Sequence, residues 1–239
     1  MLNIHPQKET KKIVEFLQKK FREQKIKNAV IGLSGGIDSI TSYYLLKKAL
    51  PAKNIFQVHL PYDKPSPYIP KNIPVISIKK LVDELVNQLD LSSRIRIGNI
   101  MTRVRMIILF DLAKKYNALV CGTENKSEHL LGYFTRFGDG ASDIEPIGHL
   151  YKTQVYQLAK YLGVPQTIMN QKPSAGLWSG QTDETEFGFT YEEADQVLFL
   201  HFDTKMSTEK IIKMGYKNAK KIMRHVKKNE FKRKTPYYV

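Results

Sequence analysis

Apolar residues recur along the chain with two different spacings, which together predict an alternation of strands and helices. Short continuous apolar runs, typical of strands buried in a parallel sheet, occupy residues 29–33, 54–60, 73–78 and 118–123. Segments with apolar residues three and four positions apart, typical of amphipathic helices, cover residues 8–25, 40–49, 80–89, 99–116, 153–162, 191–202, 208–214 and 218–227. The alternation predicts an α/β fold: a doubly wound, mostly parallel sheet with helices on both faces.

The segment that joins the first predicted strand to its helix is rich in glycine and hydroxyl groups. It reads Gly32-Leu33-Ser34-Gly35-Gly36-Ile37-Asp38-Ser39. Adjacent glycines let backbone N–H groups close around an oxyanion, and the start of a helix adds partial positive charge. Asp38 would repel phosphates unless a cation lay between them, and Mg²⁺ is the usual one. The pattern indicates a phosphate loop with a metal-ligating aspartate; the alternative is an ordinary glycine turn that opens a helix.

This loop is not a Walker A loop, because the Gly-Lys-Ser/Thr ending is missing. It resembles the SGGxDS loop of the N-type ATP pyrophosphatases, which cleave ATP between the α and β phosphates and hold the leaving pyrophosphate. The resemblance implies an adenine nucleotide alpha hydrolase-like fold. In open α/β sheets the ligand lies at the carboxyl ends of the strands, so we expect ATP there.

Composition and charge bear on the cellular setting. The length of 239 residues suits a single domain over 1–239, with an N-terminal helix at 8–25 and a basic tail at 229–239. The single cysteine, Cys121, excludes internal disulfides, and no segment has the apolar length of a membrane span or the apolar core of a signal peptide. We therefore expect a cytoplasmic protein. The net charge of +15 fits either a polyanionic partner or a solvated basic face.

Further polar residues follow the last predicted strand. That strand ends in Gly122-Thr123, which exposes backbone and a hydroxyl at the edge of the sheet. Glu124 and Glu128 come next and share one face of a helix. Acidic residues in a first helical turn interact favourably with the helix dipole, which is sufficient reason for their presence. The functional alternative is that Glu128 faces the same metal as Asp38.

Two long loops have the composition of substrate-binding segments. Residues 132–143 are aromatic and glycine-rich and include Arg136, Asp139 and Asp143. Aromatic faces next to polar groups suit a flat ring and its ribose. Residues 173–184 are rich in glycine and serine and hold the only tryptophan. They predict either a lid that closes over substrate or a plain exposed loop.

Two arginines lie on the predicted helix 99–116. Arg103 and Arg105 are two positions apart, so they face different directions. One of them can reach a ligand while the other has a structural partner. Simple surface charge is the alternative for both.

Four segments in this order make the resemblance more specific. They are residues 102–106, 122–128, 132–140 and 172–177. Together they resemble the NAD synthetase family from residue 29 to the end of the chain. The absence of an added glutaminase domain is similar to the short, ammonia-using bacterial form. That form implies a homodimer of doubly wound α/β subunits, with the pyridine dinucleotide near the subunit interface.

The resemblance implies roles for individual residues. Residues 32–39 would hold the ATP phosphates, and Asp38 and Glu128 would ligate Mg²⁺. The other expected ATP contacts are Thr123, Lys152 and Ser174. The expected deamido-NAD contacts are Arg103, Arg136, Asp143, Phe231 and Lys232. Three of these positions differ from the usual family residue, since Arg136 replaces a common lysine, Ser174 a common threonine and Phe231 a common histidine.

The implied reaction is the amidation of deamido-NAD to NAD, with ATP and ammonia as co-substrates. The nicotinate carboxylate would attack the α-phosphorus of ATP, and ammonia would then displace AMP from the acyl-adenylate. Attack on a charged phosphate is slow through repulsion and misalignment, so Asp38 and Lys152 are expected to position and neutralise charge. Asp139 and Asp143 are candidates for binding ammonium and taking its proton.

Two other classes of protein share the loop. A tRNA-modifying enzyme would suit the basic charge, but the RNA-binding domain or redox cysteines typical of that class are missing. We therefore expect no nucleic-acid partner. A non-catalytic nucleotide-binding module is the other alternative, and it would leave Asp38 and Glu128 without a role.

Overall fold

The sheet at the centre of the fold is parallel, as the sequence predicts. The computed structural model describes residues 2–237 and 239. Its strands are β1 (Asn28–Gly32), β2 (Ile55–Val58) and β3 (Ala118–Cys121), in the order β2-β1-β3. Val30 in the central strand pairs with Phe56 on one side and Val120 on the other. The carboxyl ends of all three strands therefore lie at one edge.

Eleven α-helices and three short 3₁₀ or π turns lie within the described residues. They are α1 (Pro6–Glu23), α2 (Ile37–Ala49), α3 (Lys79–Gln88), α4 (Arg94–Tyr116), α5 (Lys126–Leu131), α6 (Lys152–Leu162), α7 (Gln166–Met169), α8 (Asp183–Phe187), α9 (Tyr191–Leu198), α10 (Thr208–Lys213) and α11 (Ala219–Lys228), with short 3₁₀ or π turns at Ala52–Asn54, Phe199–Asp203 and Glu230–Arg233 making up the rest. No helix among the described residues combines the length and apolar character that crossing a membrane requires. Met1 and Tyr238, which belong to the predicted domain 1–239 and tail 229–239, lie outside those residues.

Side chains of β1 alternate between two apolar cores, which is why helices cover both faces of the sheet. Ala29 and Ile31 pack in a core shared with α1, α2 and α6. Val30 points the other way and packs with Ala113 of α4 and with Val120. Because both faces of a parallel strand are covered, its residues form a continuous apolar run. This arrangement confirms the predicted doubly wound fold.

One predicted strand is wrong. Residues 73–78 do not form a strand; a single parallel bridge joins Val75 to His59 at the end of β2. Pro74 has no N–H to donate, and Val75 and Ile76 are 50% and 39% exposed, so this segment is not a buried strand. A similar bridge joins Ile144 to Cys121 at the opposite edge.

Several helix boundaries differ from the predicted ones. The helix predicted at 8–25 is Pro6–Glu23, because Pro6 is preorganised for a first helical turn. The helix predicted from residue 99 begins at Arg94, after Ser93 in an extended conformation. The helix predicted at 191–202 is α-helical only to Leu198 and continues as the π turn Phe199–Asp203.

The helices after residue 183 form a third packed layer beside α5. Leu131 of α5 packs with Phe187, Leu198, Ile211 and Ile222 in one apolar cluster. This layer has no strand, yet it presses α9 against the start of α6. It therefore supports the part of the chain that carries Glu128 and Lys152.

Candidate active site

The glycine loop after β1 is closed by its own hydroxyl groups. The Ser39 hydroxyl is buried; it donates to the Gly36 carbonyl at 3.0 Å and accepts the Ser34 N–H at 3.3 Å. Gly35 has a φ of +91°, and a Cβ there would lie 2.4 Å from Ser66 Oγ, so only glycine fits. The loop leads directly into α2, whose first-turn N–H groups have no intrahelical acceptor. The result is a rigid cradle with donors for an anion.

A buried lysine joins two carboxylates beside this cradle. Lys152, at the first position of α6, is only 3% exposed at its side chain. Its Nζ lies 2.5 Å from Asp38 Oδ2 and 3.0 Å from Glu128 Oε1. Three predicted site residues from distant parts of the sequence therefore meet at one point. We name Asp38, Glu128 and Lys152 the carboxylate–lysine cluster.

Burial and mutual attraction set the charge states of this cluster. Burial raises the pKa of the Glu128 carboxyl to about 8, although the Lys152 ammonium acts in the opposite sense. Burial alone would lower the pKa of Lys152, but Asp38 and Glu128 outweigh it and raise that pKa. Lys152 is therefore firmly protonated.

Asn125 was missed by the sequence prediction and completes the cluster. Its Nδ2 donates to Asp38 Oδ1 at 3.0 Å, and its Oδ1 accepts the Glu128 N–H at 3.0 Å. Asn125 is thus the N-cap of α5. The Glu128 side chain accepts the Asn125 N–H, which completes a capping box. The capping interpretation of Glu128 agrees with this box, and metal binding by Glu128 stays a prediction. The Asn-x-x-Glu spacing was the available sequence signal.

Asp195 of α9 was also missed, and it fixes the backbone that carries the cluster. The Ser127 hydroxyl donates to Asp195 Oδ1 at 2.5 Å, and the Thr153 N–H donates to Oδ2 at 2.8 Å. The same Ser127 oxygen accepts the Lys152 N–H at 2.8 Å. Asp195 is fully buried, and burial raises its pKa from the ordinary 3.8 to about 6. One carboxylate therefore ties the starts of α5 and α6 together.

Replacing this carboxylate should change how stability depends on pH. The folded protein binds the Asp195 proton more tightly than the unfolded chain, so raising the pH through the interval from 3.8 to about 6 costs the wild type stability. Asp195→Asn lacks that titration. The stability advantage of wild type over the variant should therefore shrink by roughly 2–3 kcal/mol between pH about 4 and about 7. Urea unfolding at both pH values measures it.

Asp111→Asn, at an exposed position of α4, is the matched control and should show a constant difference from wild type. An Asp195→Asn difference that stays equally constant would contradict the assignment.

The residues present fit a magnesium ion that is shared with phosphates. Mg²⁺ is commonly held by one or two carboxylates together with substrate phosphates. Asp38 and Glu128 supply two such carboxylates, held together by a single Nζ beside a loop of anion donors. Within residues 2–237 and 239, no three or more histidine, cysteine, aspartate or glutamate side chains lie close enough together to hold a metal ion by themselves. The site therefore suits an ion that needs phosphate ligands and would not suit a closed structural metal.

A second group gathers four residues expected to contact the dinucleotide. Arg103 Nη2 donates to the Arg136 carbonyl at 3.4 Å. The Arg136 guanidinium lies 5.0 Å from the centre of the Phe231 ring, and Lys232 bonds the carbonyls of the same loop. Arg105, in contrast, donates to the Leu60 carbonyl at 3.0 Å. Both helix arginines therefore bond backbone carbonyls, and a ligand contact by one of them stays a prediction.

The two aspartates considered for ammonium each have one oxygen engaged by the backbone. Asp139 Oδ1 accepts the Thr135 N–H at 2.8 Å, and Asp143 Oδ2 accepts the Val120 N–H at 2.7 Å. Both residues are exposed. Each therefore has a structural contact and a second oxygen that is left for other partners.

The segment after α7 is anchored to the glycine loop. Gln171 Nε2 donates to the Gly35 carbonyl at 3.2 Å, and a cavity of about 220 Å³ separates the 170–173 stretch from Lys152 and Tyr191. Ser174 is exposed and accepts the Gly176 N–H at 3.1 Å. Thr123 lies just after β3, partly buried. Neither Ser174 nor Thr123 has a hydrogen bond to the carboxylate–lysine cluster in the part of the chain described.

Asp183 is a further buried carboxylate that sequence reasoning missed. It is 3% exposed, and its Oδ2 accepts the Tyr191 hydroxyl at 3.0 Å. Burial raises its pKa, and the charge of Lys152 acts against that rise. No spacing signal marked it, since it opens a short helix like any capping-turn aspartate. It adds negative charge on the side of Lys152 that faces α8 and α9.

A parallel sheet with a Ser-Gly-Gly-x-Asp-Ser loop and a lysine between two carboxylates defines an α/β protein with the adenine nucleotide alpha hydrolase-like fold. The sequence matches the NAD synthase family over residues 9–236, and the chain belongs to that family.

Individual relatives agree with this assignment. The chain is 40% identical over 237 residues to the NH(3)-dependent NAD(+) synthetase of Fusobacterium nucleatum, covering 94% of this chain and 92% of the relative. Among solved structures it is similar to an NMN synthetase from Francisella tularensis, with a TM-score of 0.84, 36% identity and 99% of each chain covered. It is also similar to the NH3-dependent NAD synthetase from Campylobacter jejuni, with a TM-score of 0.80, 31% identity, and 99% and 100% covered.

Proposed function

We propose that this protein is an ammonia-dependent ligase that converts deamido-NAD to NAD, the last step of NAD biosynthesis, at the expense of ATP. The observation that carries the proposal is the carboxylate–lysine cluster next to a loop of anion donors. A lysine that is protonated and buried between two carboxylates can exchange part of this pairing for phosphate oxygens. The membership of the chain in the NAD synthase family supports the same activity.

In the first step the nicotinate carboxylate oxygen bonds to the α-phosphorus while the bond from that phosphorus to the pyrophosphate oxygen breaks. Both reactants are anionic, so the protein must hold them in line and neutralise charge. The N–H groups at the start of α2 and the Lys152 ammonium are proposed to bind the β and γ phosphates. Asp38 and Glu128 would hold Mg²⁺, which, when bound, stabilises charge on the leaving pyrophosphate.

In the second step ammonia attacks the acyl carbon, and AMP leaves with the bonding electrons. Ammonia at neutral pH is mostly ammonium, so a carboxylate must bind it and accept its proton. We propose Asp139 and Asp143 for this role, each through the oxygen that does not accept a backbone N–H. Thr123 and Ser174 are proposed as additional ATP contacts at the edges of the same site.

The dinucleotide would bind along the second group of residues. Arg103 and Arg136, held together by one hydrogen bond, are proposed to contact its phosphates.

We also propose a homodimer, which is favoured by exposed apolar side chains: Leu81 and Leu89 in or next to α3, and Ile95 and Ile107 on α4. A cytoplasmic location is part of the proposal and is supported by the free, buried Cys121.

Incubation of the purified protein with ATP, Mg²⁺, ammonium and deamido-NAD should yield NAD, AMP and pyrophosphate in equal amounts. A parallel reaction should replace deamido-NAD by nicotinate mononucleotide, because one similar structure is an NMN synthetase. We expect kcat/KM to be higher for deamido-NAD. A third reaction with ATP and tRNA should yield no AMP.

Each outcome has a definite meaning. AMP formation only with tRNA would overturn the proposal, and a preference for nicotinate mononucleotide would correct its substrate. At limiting ammonium, wild-type rates in both Asp139→Asn and Asp143→Asn would remove these two residues from the ammonia step.

A further inference from the structure

The turn Glu230–Arg233 holds the loop that carries Arg136. Lys232 Nζ donates to the carbonyls of Gly132 and Phe134, at 2.7 and 2.9 Å. Arg233 Nη1 donates to the Leu130 carbonyl at 3.0 Å. Two consecutive basic side chains therefore bond the backbone at the end of α5 and just after it.

The contact between the turn and the loop leaves no free space. Gly132 has a φ of +65°, and a Cβ there would lie 2.4 Å from the Asn229 Cβ. The loop is fixed on its other side by Asn99, whose side-chain oxygen accepts the Thr135 hydroxyl at 2.8 Å. The 132–136 backbone is thus held between α4 and the C-terminal turn.

Phe231 lies where this arrangement meets the Arg136 side chain. Its ring centre is 5.0 Å from the guanidinium carbon, within the range of a cation–π contact. The ring is 43% exposed, so filling the core does not account for its position. Arg103 holds the Arg136 backbone, and Phe231 lies against the Arg136 head group. Arg103 therefore fixes the position of the Arg136 backbone, and Phe231 fixes the orientation of its guanidinium.

We propose that Phe231 is a positioning residue, whose ring orients the Arg136 guanidinium toward the dinucleotide, and that Lys232 acts by securing the loop backbone. The inference rests on the proposed function, in which Arg136 contacts deamido-NAD. In this proposal Phe231 affects dinucleotide binding by orienting Arg136. A histidine at the same position could instead contact the substrate directly. Two of the three Lys232 donors are taken by carbonyl groups, which gives that residue a structural task of its own.

Phe231→Leu removes the aromatic face, and Phe231→Trp keeps it. We expect Phe231→Leu to raise the KM for deamido-NAD by about 3- to 5-fold, with kcat and the KM for ATP unchanged, and Phe231→Trp to restore the KM. In an Arg136→Met background, Phe231→Leu should cause no additional rise, because the two residues act as one unit. Phe16→Leu, at a similarly exposed phenylalanine of α1, is the matched control.

A second readout is independent of turnover. The Arg136 Nε–Hε resonance of the full-length protein should carry a ring-current shift that Phe231→Leu removes and Phe231→Trp retains. An unchanged resonance in Phe231→Leu, or additive effects with Arg136→Met, would overturn the positioning role. A wild-type protein that makes no NAD would overturn the proposed function, while the resonance would still decide whether Phe231 orients Arg136.

Discussion

Asp38→Asn should lower kcat for AMP formation by at least about 10³-fold and leave the protein folded. The substitution preserves the shape of the side chain and removes its charge. It also places an amide that can donate next to Lys152 Nζ, where the wild type has an accepting oxygen 2.5 Å away. The variant therefore loses a carboxylate for the cation and disturbs the lysine at the same time. Pyrophosphate release at saturating ATP and deamido-NAD measures the effect.

Glu15→Gln provides the control for this change of carboxylate to amide. Glu15 is 63% exposed on α1 and pairs with Lys11 on the surface, so its variant should retain wild-type kcat. Thermal unfolding of both variants separates lost chemistry from lost structure. Full AMP output from a folded Asp38→Asn protein would refute the role of the glycine loop as the site of adenylation.

Lys152→Met should combine the second-largest loss of activity with a loss of stability. Removing one partner of a buried ion pair leaves uncompensated charge, at a cost of about 3–5 kcal/mol. Asp38 and Glu128 would then face each other without the Nζ that now contacts both. We expect kcat to fall by about 10²- to 10³-fold, because the pyrophosphate would lose its buried cation. Urea unfolding and steady-state kinetics measure the two effects.

A metal titration makes this prediction sharper. Added Mg²⁺ should raise the melting temperature of Lys152→Met more than that of wild type, since the two carboxylates of the variant have no internal cation. Lys160→Met, at an exposed position of the same helix α6, should behave like wild type in both measurements. If Lys152→Met unfolds at the wild-type urea concentration and keeps its rate, the carboxylate–lysine cluster is not the centre of the site.

Much of the architecture was predictable because local patterns of apolar and polar residues determine the strands and helices. The run at 29–33 had to be a buried strand, since both of its faces are apolar and glycines follow at once. The helix boundaries were less predictable, because hydrophobic periodicity does not fix the end residue: α4 begins at Arg94 without a side-chain cap from Ser93. The segment 73–78 shows the limit of this reasoning. An apolar composition cannot distinguish a strand from an extended segment with one bridge, because the number of pairing partners is set by the rest of the fold.

The site residues likewise divide into those that the sequence predicts and those that it does not. The chain itself determined the glycine loop, with Asp38 and Ser39 at fixed places in it, because a turn of adjacent glycines before a helix is a local property. The family resemblance implied Mg²⁺ on Asp38 and Glu128 and an ATP contact at Lys152, whereas Asn125, Asp183 and Asp195 were not expected at all. Their roles depend on burial and on partners tens of residues away, such as Ser127 for Asp195.

Taken by itself, the sequence determined the kind of sheet, the anion-binding loop and the residues able to serve it, since each follows from spacing and chemistry within a short segment. Only the tertiary structure decided which charges share a buried volume, and therefore which pKa values shift. It alone decided that Lys152 lies between two carboxylates and that Phe231 lies against Arg136. Such pairings depend on the distance between residues that are remote in sequence, and a local pattern of apolar and polar residues carries no information about that distance.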